Sequence, residues 1–270
     1  MDVTASVPIA VTIAGSDSGG GAGIQADLKT FSALGVYGAS VITALTAQNT
    51  RGVQAIHDVP PAFVTQQMTS VFSDLAVDAV KIGMLSQPGV IEAVAAGLER
   101  HGQRAVVLDP VMVATSGDRL LAPEAVAALK RLLLPLARLI TPNLPEAAAL
   151  TETPLARNEA AMQAQAEKLV AMGARAVLVK GGHGEGPESV DLLAEGGGVS
   201  RFAAPRQPGV NTHGTGCTLS SAIAAGLARG ETLVDAVGAA KAYVTAAIAA
   251  SERLKVGHGH GPVHHFYRWW

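Results

Sequence analysis

The sequence predicts an α/β fold with a mostly parallel central sheet that is covered by helices on both faces. Short apolar segments without in/out alternation recur along the chain, and amphipathic segments of helical period separate them. Such strands are buried on both faces, and strand–helix alternation connects parallel strands by crossovers. No linker interrupts the 270 residues, so we predict one domain, with a core over about 8–250 and a tail over 251–270.

Six segments have the composition of buried strands: 8–14, 39–45, 79–82, 105–108, 138–140 and 176–179. Five segments between them carry apolar residues at helical spacing: 26–34, 63–75, 89–100, 124–134 and 159–172. Gly102 and Gly173 follow two of these segments, where glycine commonly ends a helix. Residues 189–194 and 199–203 then flank a run of glycines and predict an antiparallel pair. Two closing helices begin at Cys217 and Glu231.

Polar residues follow the predicted strands. They are Gly15-Ser16-Asp17, Gln48-Asn49, Gly83-Met84, Asp109-Pro110, Thr141-Pro142-Asn143 and Lys180-Gly181-Gly182. In an open parallel sheet, ligands bind beyond the carboxyl ends of the strands. We therefore predict that these six ends converge on one ligand site.

The charge balance excludes several classes of partner. The chain has 20 basic and 22 acidic residues, a formal charge of -2 and no long run of Lys or Arg, so neither nucleic acid nor an anionic membrane is expected as the main partner. The first basic residue is Lys29, only one cysteine is present, and no apolar run is judged long enough to cross a bilayer. These features predict a cytoplasmic protein.

The segment VNTHGTGCTLSSAIAAGLARG, residues 210–230, is the candidate centre of the chemistry. Gly214 and Gly216 form a loop with little side-chain bulk, and Leu219, Ile223 and Leu227 then recur at helical spacing. The first-turn N–H groups of a helix lack internal partners and carry the positive end of its dipole. This loop can therefore cradle an anion such as a transferring phosphoryl group.

Cys217, the only cysteine, lies at the start of this helix. A helix N-terminus can lower the pKa of a thiol below about 8.5, which would make the thiolate available as a base or nucleophile. The alternative is a buried cysteine without a chemical role, since cysteine is among the most buried residue types.

Two common nucleotide motifs are not supported. Residues 21–26 fit the loose G-x-G-x-x-A dinucleotide pattern, but no Asp or Glu lies between Asp27 and Asp58 to hold a ribose hydroxyl. The G-x-x-x-x-G-K-[ST] motif does not occur. An NAD-dependent oxidoreductase and a Walker-type ATPase are therefore disfavoured.

The tail GHGHGPVHHFYRWW holds four of the eight histidines and both tryptophans. Histidines spaced by glycine, without Cys or carboxylate partners, are a weak metal-site signal. We predict a packed or frayed tail instead.

Eight segments, in chain order, resemble the hydroxymethylpyrimidine/phosphomethylpyrimidine kinase family of thiamine biosynthesis, in the ribokinase-like superfamily. They are GSDSGGGAGIQADLKT, ALTAQNT, KIGML, LDPVMVATSG, TPNLPEA, VKGGH, THGTGCTLSSAIAA and GHGHGPVHHF. The resemblance runs from about residue 8 to residue 266. It implies a ribokinase-like, Rossmann-like three-layer sandwich, and a homodimer that uses ATP and Mg²⁺ to phosphorylate 4-amino-5-hydroxymethyl-2-methylpyrimidine and then its monophosphate.

The resemblance assigns the pyrimidine pocket to Gly15, Asp27, Gln48, Met84 and Val111. A carboxylate and a carboxamide suit the donor and acceptors of an aminopyrimidine edge, and the two apolar side chains suit the ring. Without the resemblance, Asp27 is a first-turn carboxylate at a helix dipole and Gln48 is a solvated turn residue.

On the nucleotide side, the resemblance assigns Asp109 and Glu146 to magnesium and Asn143 to the same network. Hard oxygen ligands, largely through water, suit Mg²⁺. An N-x-x-E pattern is also that of a helix cap. Four further residues are assigned to the phosphates and base of ATP: Lys180, Thr212, His213 and Lys241.

The anion hole implied by the resemblance consists of Gly214, Thr215, Gly216 and Cys217. The superfamily usually has Asp as the base at the last position, whereas this chain has Cys217, as the pyrimidine kinases do. We hypothesise that Cys217 removes the hydroxymethyl proton while the loop amides hold the γ-phosphate. Pyridoxal kinase and a non-catalytic pyrimidine-binding protein remain the alternatives.

Overall fold

The structure is a computed structural model and describes residues 6–112, 122–184, 186–207 and 211–270. Residues 113–117 of the LDPVMVATSG segment and Val210 of the glycine-loop segment lie outside the described residues.

The described part of the chain contains one eight-stranded sheet and one separate two-stranded sheet. The strands are β1 (Ile9–Ala14), β2 (Tyr37–Ile42), β3 (Ala44–Asn49), β4 (Gly52–Asp58), β5 (Ala79–Ile82), β6 (Val106–Leu108), β7 (Leu139–Ile140), β8 (Ala176–Lys180), β9 (Glu188–Glu195) and β10 (Gly198–Pro205). The large sheet has the order β10-β9-β8-β7-β6-β5-β1-β2. Its pairings from β2 to β8 are parallel, and β9 and β10 add an antiparallel edge.

Helices follow most of the parallel strands, as the sequence predicts. They are α1 (Gly23–Ala33), α2 (Pro61–Phe72), α3 (Pro88–Arg100), α4 (Pro123–Ala128), α5 (Leu144–Thr151), α6 (Glu159–Ala171), α7 (Thr215–Ala228) and α8 (Leu233–Ala249). Helix α4 continues into a π-helical segment, Leu129–Leu133.

Two apolar layers hold the helices to the large sheet. Successive strand residues point to opposite faces, so Val80 and Ile82 pack with α2 to α6, whereas Ala79 packs with α1, α7 and α8. Strand β5 is buried throughout, which explains why the sequence shows no alternation there. The predicted three-layer α/β fold is confirmed.

The predicted strand over 39–45 is wrong at its end. Strand β2 ends at Ile42, and β3 begins at Ala44 and pairs with β4 as an antiparallel hairpin outside the large sheet. The exposed and half-buried residues of β3 alternate, which is the pattern of a half-exposed strand. Gln48 and Asn49 therefore end a hairpin strand and not a strand of the central sheet.

The expectation that no apolar run is long enough to cross a membrane also needs correction. The segment Leu233–Arg253, which contains α8, has 21 residues and a mean hydropathy of 1.4, enough by length and composition. In the structure 44% of its most apolar 18-residue stretch is buried. Ala236, Val237 and Ala240 belong to the core beside α7. The segment packs as a core helix.

Candidate active site

One cavity of about 760 Å³ lies beyond the carboxyl ends of the central strands. This volume is within the usual range of sites for small molecules. Every predicted site residue except Asp27 lies on its wall: Gly15, Gln48, Met84, Asp109, Val111, Asn143, Glu146, Lys180, Thr212, His213, Gly214, Thr215, Gly216, Cys217 and Lys241.

The glycine loop before α7 meets the glycine-rich loop after β1. Gly214 has a φ of 80°, and a Cβ atom at this position would lie 1.9 Å from the carbonyl oxygen of Gly21. Only glycine fits both the left-handed backbone and this close approach. No side chain caps α7, and its first-turn residues Gly216 and Cys217 line the cavity. The N-terminus of α7 is therefore suited to bind an anion.

An ion pair lies beside this helix terminus. Lys180 Nζ is 2.8 Å from Asp109 Oδ1, and Thr141 also donates to this carboxylate at 3.2 Å. Burial lowers the pKa of Lys180, but attraction to Asp109 and Glu146, together with the hydrogen bond to Asp109, outweighs burial and leaves that pKa above its ordinary value. A Cβ atom on Gly216 would lie 3.4 Å from Lys180 Nζ, so the ammonium group borders the glycine loop.

Asn143 and Glu146 form a capping box at the start of α5. The side chain of Asn143 accepts from the Glu146 N–H, and Glu146 Oε2 accepts from the Asn143 N–H, both at 2.8 Å. The helix-cap interpretation of N-x-x-E is thus confirmed. It leaves other lone pairs of the Glu146 carboxylate free to serve a ligand, because a carboxylate offers about four acceptor sites.

The carboxylates of Asp109 and Glu146 fit the magnesium role only in part. No group of three or more His, Cys, Asp or Glu side chains that suits a metal occurs among the described residues. Magnesium commonly retains several waters and binds through one or two carboxylates plus substrate phosphates, so two oxygen donors beside an anion site are compatible with it.

Replacing Glu146 by Gln should raise the stability of the metal-free protein at pH 8 by about 1–3 kcal/mol. Burial raises the pKa of Glu146 from 4.5 to about 7, against an opposing attraction to Lys180. The folded state therefore prefers the protonated acid, and the wild-type protein loses stability as the pH rises from 4.5 through about 7. Thermal denaturation with EDTA from pH 5 to pH 8 should show the variant's gain growing with pH. The exposed Glu99→Gln is the control, and a pH-independent difference for Glu146→Gln would contradict the prediction.

Gly15, Gln48 and Met84 line a part of the cavity here called the Gln48 end, and Val111 lines the cavity as well. A Cβ atom on Gly15 would lie 2.5 Å from Met84 Cε, so glycine makes room for the Met84 side chain. The Gln48 side-chain carbonyl accepts from Thr46 Oγ1 at 3.2 Å. This end combines apolar walls with a carboxamide, as a flat heteroaromatic ring requires.

His213 lies at the Gln48 end, whereas the sequence analysis assigned it to ATP. Its Nε2 is 2.9 Å from Asp17 Oδ2 and 3.4 Å from Gln48 Nε2. The reason is that residues just before α7 pack against the β1–α1 loop, which sequence spacing does not reveal. The structure thus places His213 beside Gln48 and Asp17, and its assignment to ATP stays a prediction.

Asp17 belongs to one of the six predicted strand ends, but the sequence analysis gave it no role of its own. Its carboxylate accepts from the N–H groups of Gly19, Gly21 and Ala22 at 2.8–3.1 Å. Burial raises the pKa of Asp17, but the hydrogen bond from His213 and these amides outweigh burial and lower that pKa overall. The shape of the glycine-rich loop thus depends on this charge. The signal in the sequence was an Asp followed by three glycines within a loop.

Asp27 lies beneath the cavity and does not line it. Its carboxylate is fully buried, and Lys81 Nζ lies 2.8 and 2.9 Å from its two oxygens. Thr12 Oγ1 and Ser221 Oγ each donate to it at 2.6 Å. The direct ring contact predicted for Asp27 therefore needs revision, because four hydrogen bonds already occupy this carboxylate. Lys81, the partner that the sequence analysis missed, does reach the cavity wall.

The thiol of Cys217 differs from the expectation for a helix N-terminus. Burial raises its pKa to about 11, even though the nearby Lys81 ammonium acts to lower it. The side chain is half-buried and accepts a hydrogen bond from the Gly23 backbone. At pH 7 the neutral thiol is therefore the predominant form. The predicted depression of the pKa is therefore wrong.

Lys241 lines the cavity, but its ammonium group has partners. Nζ is 2.8 Å from Asp191 Oδ2 and 3.1 Å from Ser189 Oγ. Asp191 in turn accepts from the Gly181 N–H at 2.9 Å. Lys241 thus holds the turn after β8 in place.

Comparison with known proteins adds independent findings. The family described as "Phosphomethylpyrimidine kinase" matches residues 17–264. The hydroxymethylpyrimidine/phosphomethylpyrimidine kinase of Rhizobium meliloti (strain 1021) is 65% identical over 262 residues, which is 97% of this chain and 98% of that protein.

Two solved structures share the fold. The phosphomethylpyrimidine kinase of Clostridium difficile 630 superimposes with a TM-score of 0.80 at 45% identity, over 90% of this chain and 100% of that one. An ADP complex of Bacillus subtilis pyridoxal kinase gives a TM-score of 0.90 at 37% identity, over 98% and 100%.

Proposed function

The chain belongs to the phosphomethylpyrimidine kinase family, and on this premise we propose that it transfers the γ-phosphoryl group of ATP to 4-amino-5-hydroxymethyl-2-methylpyrimidine and then to the monophosphate. The enzyme is a phosphotransferase with a ribokinase-like fold. Among the homologues are bifunctional enzymes of thiamine biosynthesis, which supports the same pathway for this chain.

The continuity of the cavity carries this proposal. The cavity wall carries the Lys180 ammonium and the Glu146 carboxylate, and it also carries Gln48 and Met84. The segment through Gly214 connects them at the N-terminus of α7, because His213 lies beside Gln48 and Gly216 borders Lys180. An anion site between a charged group and an apolar surface with a carboxamide is what phosphoryl transfer between a nucleotide and an aromatic alcohol needs.

In the proposed reaction, the hydroxymethyl oxygen forms a bond to the γ-phosphorus while the bond to ADP breaks. The amides of Gly216 and Cys217 hold the transferring group, and Lys180 neutralises charge on its oxygens. Asp109 and Glu146 would hold Mg²⁺, largely through water, and the cation would supply positive charge that offsets the negative charge of the ATP phosphates. Use of ATP is supported by the ADP complex of the Bacillus subtilis neighbour.

We propose that Cys217 is a neutral member of the anion hole and not the base. A thiol with a pKa of about 11 is a poor proton acceptor at neutral pH. Phosphoryl transfer passes through a loose transition state, so the hydroxyl proton leaves late and can pass to a phosphate oxygen or to water.

Replacing Cys217 by Ser or Ala should therefore leave kcat within about tenfold of the wild-type value between pH 6 and pH 9. Initial rates with saturating ATP and pyrimidine, for variants with wild-type thermal denaturation, test this. General bases contribute about 10²–10⁴-fold, so a loss of that size in both variants would restore the base role.

Product analysis by mass spectrometry tests the function itself. Incubation with ATP, Mg²⁺ and the pyrimidine alcohol should yield the monophosphate and then the diphosphate. Pyridoxal as a parallel substrate addresses the main alternative, because the Bacillus subtilis neighbour is a pyridoxal kinase. Faster phosphorylation of pyridoxal than of the pyrimidine would favour that alternative. Binding of the pyrimidine without any consumption of ATP would indicate a non-catalytic binding protein.

The homodimer and the cytoplasmic location stay predictions. Sedimentation velocity at several protein concentrations checks the first, and cell fractionation checks the second.

A further inference from the structure

The histidine- and glycine-rich tail is packed in the structure. Its first part, Gly257–Val263, is here named the strap. The structure describes every residue of the strap, and none of them lines the cavity. The strap nevertheless contacts three loops whose other residues do line it.

The first contact is with the turn of the β3–β4 hairpin. The backbone N–H of His260 donates to the Thr50 carbonyl at 2.8 Å, and the Gly259 N–H donates to Thr50 Oγ1 at 3.1 Å. A Cβ atom on Gly259 would lie 2.1 Å from the Thr50 carbonyl oxygen. Glycine is required for this approach, and Thr50 is only two residues beyond Gln48.

The second contact is with the segment before α7. The His213 N–H donates to the Gly261 carbonyl at 3.2 Å, and the Val263 N–H donates to the His213 carbonyl at 3.3 Å. The Gly261 N–H donates to Asn211 Oδ1 at 3.0 Å. His213 is thus held by its backbone on both sides.

The third contact is with the glycine-rich loop after β1. A Cβ atom on Gly21 would lie 3.1 Å from Pro262 Cβ and 2.5 Å from His213 Cδ2. Pro262 and His213 therefore cover the loop whose N–H groups bind the Asp17 carboxylate.

The strap is fixed to the body of the domain just after these contacts. Val263 is fully buried, and the His264 N–H donates to the Ala247 carbonyl of α8 at 3.0 Å. His265 Nε2 lies 3.0 Å from Thr218 Oγ1 of α7, and Tyr243 donates to the His265 carbonyl at 2.6 Å. These contacts with α7 and α8 give the strap a fixed position relative to the anion hole.

We propose that the strap positions the acceptor end of the active site by fixing Gln48 and His213 relative to each other and to Asp17. This inference rests on the proposed function for the identity of the acceptor. The strap residues act through the loops and are positioning residues. Gln48 in strand β3 and His213 just before α7 are 165 positions apart in sequence, and the strap contacts both the turn after β3 and the segment before α7.

Gly259→Ala tests the proposal, because the added methyl group displaces the strap from Thr50. The expected result is a rise of about tenfold in KM and Kd for the pyrimidine alcohol, with kcat and the KM for ATP within about twofold. Gly198→Ala is the matched control, since its Cβ atom meets nothing closer than 3.7 Å. An unchanged KM for the pyrimidine, or equal changes in both KM values, would overturn the proposal.

A second variant covers the case in which Gly259→Ala does not fold. Thr50→Val combined with Asn211→Ala removes both side-chain acceptors of the strap amides without adding bulk. This double variant should raise the KM for the pyrimidine about threefold or more. A wild-type KM would contradict the positioning role of the strap.

Hydrogen exchange separates failure of this inference from failure of the proposed function. If the wild-type protein neither binds nor phosphorylates the pyrimidine, the proposed function fails whatever the strap does. Exchange of the amides over 46–50 and 211–213 should still be faster in Gly259→Ala than in Gly198→Ala. Equal exchange in the two variants would overturn the positioning role by itself.

Discussion

Gly214→Ala is expected to lower kcat by about 10²–10³-fold and to leave little measurable turnover. Two effects combine at this position. The φ of 80° lies in the left-handed region, which disfavours alanine, and the new methyl carbon would lie 1.9 Å from the Gly21 carbonyl oxygen. Relief of that overlap must separate the glycine loop from the β1–α1 loop. The anion-binding amides at the start of α7 would then move away from the phosphoryl group.

Gly230 offers a matched control for backbone strain. Its φ is 81°, but no atom lies within 4 Å of the position that its Cβ atom would take. Gly230→Ala should cost about 1 kcal/mol of stability and keep nearly full activity. Steady-state rates and thermal denaturation of both variants measure the difference. Near wild-type kcat in Gly214→Ala would show that the contact between the two glycine loops is not needed for catalysis.

The location of the site could be predicted because it follows from a general property of parallel sheets. Strands that run in the same direction bring their carboxyl ends to one edge, so Asp109, Asn143 and Lys180 had to meet. The glycine loop at Gly214 could be placed at a helix N-terminus for a similar reason, since glycine spacing and helical period are both local signals.

The electrostatic roles of the site residues could not be predicted, because they depend on how deeply each side chain is buried and on partners that are distant in sequence. The Cys217 thiol is at a helix N-terminus, yet burial raises its pKa, and burial is a property of the packed site. His213 contacts Asp17 across 196 positions of sequence, which no local pattern encodes. From the sequence alone, Asp27 could be a surface carboxylate on a first helical turn, whereas α1 begins at Gly23 and has no acidic residue in its first turn. Only the packed structure shows that it is enclosed.

The hairpin β3–β4 shows a further limit. Its strand β3 begins two residues after β2 ends, and the apolar run over 39–45 continues across this boundary. A continuous apolar segment does not reveal where a chain leaves one sheet for another, because that depends on which neighbours are available for pairing.

Lys81→Met is expected to destabilise the protein by about 3–5 kcal/mol, the largest stability loss among the substitutions considered. The change leaves the Asp27 carboxylate in the core with hydroxyl partners but without its cation. Lys130→Met is the control, since Lys130 pairs at 2.8 Å with the exposed Glu152 and its loss should matter little. Urea denaturation at pH 7 measures both variants.

The double variant Asp27→Asn/Lys81→Met distinguishes an unpaired charge from lost packing. Removal of both charges leaves no ion of this pair in the core, and the side-chain carbonyl of the introduced asparagine can still accept from the hydroxyl groups of Thr12 and Ser221. The double variant should therefore be more stable than the sum of the two single losses predicts, by about 2 kcal/mol or more. Additive losses would show that the two side chains do not act as a buried ion pair.

The pH dependence of the Lys81→Met loss gives a second test of the same pair. Burial lowers the pKa of Lys81, but attraction to Asp27 and to other nearby groups, together with the hydrogen bonds to Asp27, outweighs burial and raises that pKa above 10.5. The stabilisation from this ammonium group is thus fully present below pH 10.5 and is lost only as the pH rises through the folded value. The cost of Lys81→Met should consequently stay constant in urea denaturation from pH 7 to pH 9. A cost that falls within that window would mean that Lys81 loses its proton there, and that its ammonium group is not held by Asp27.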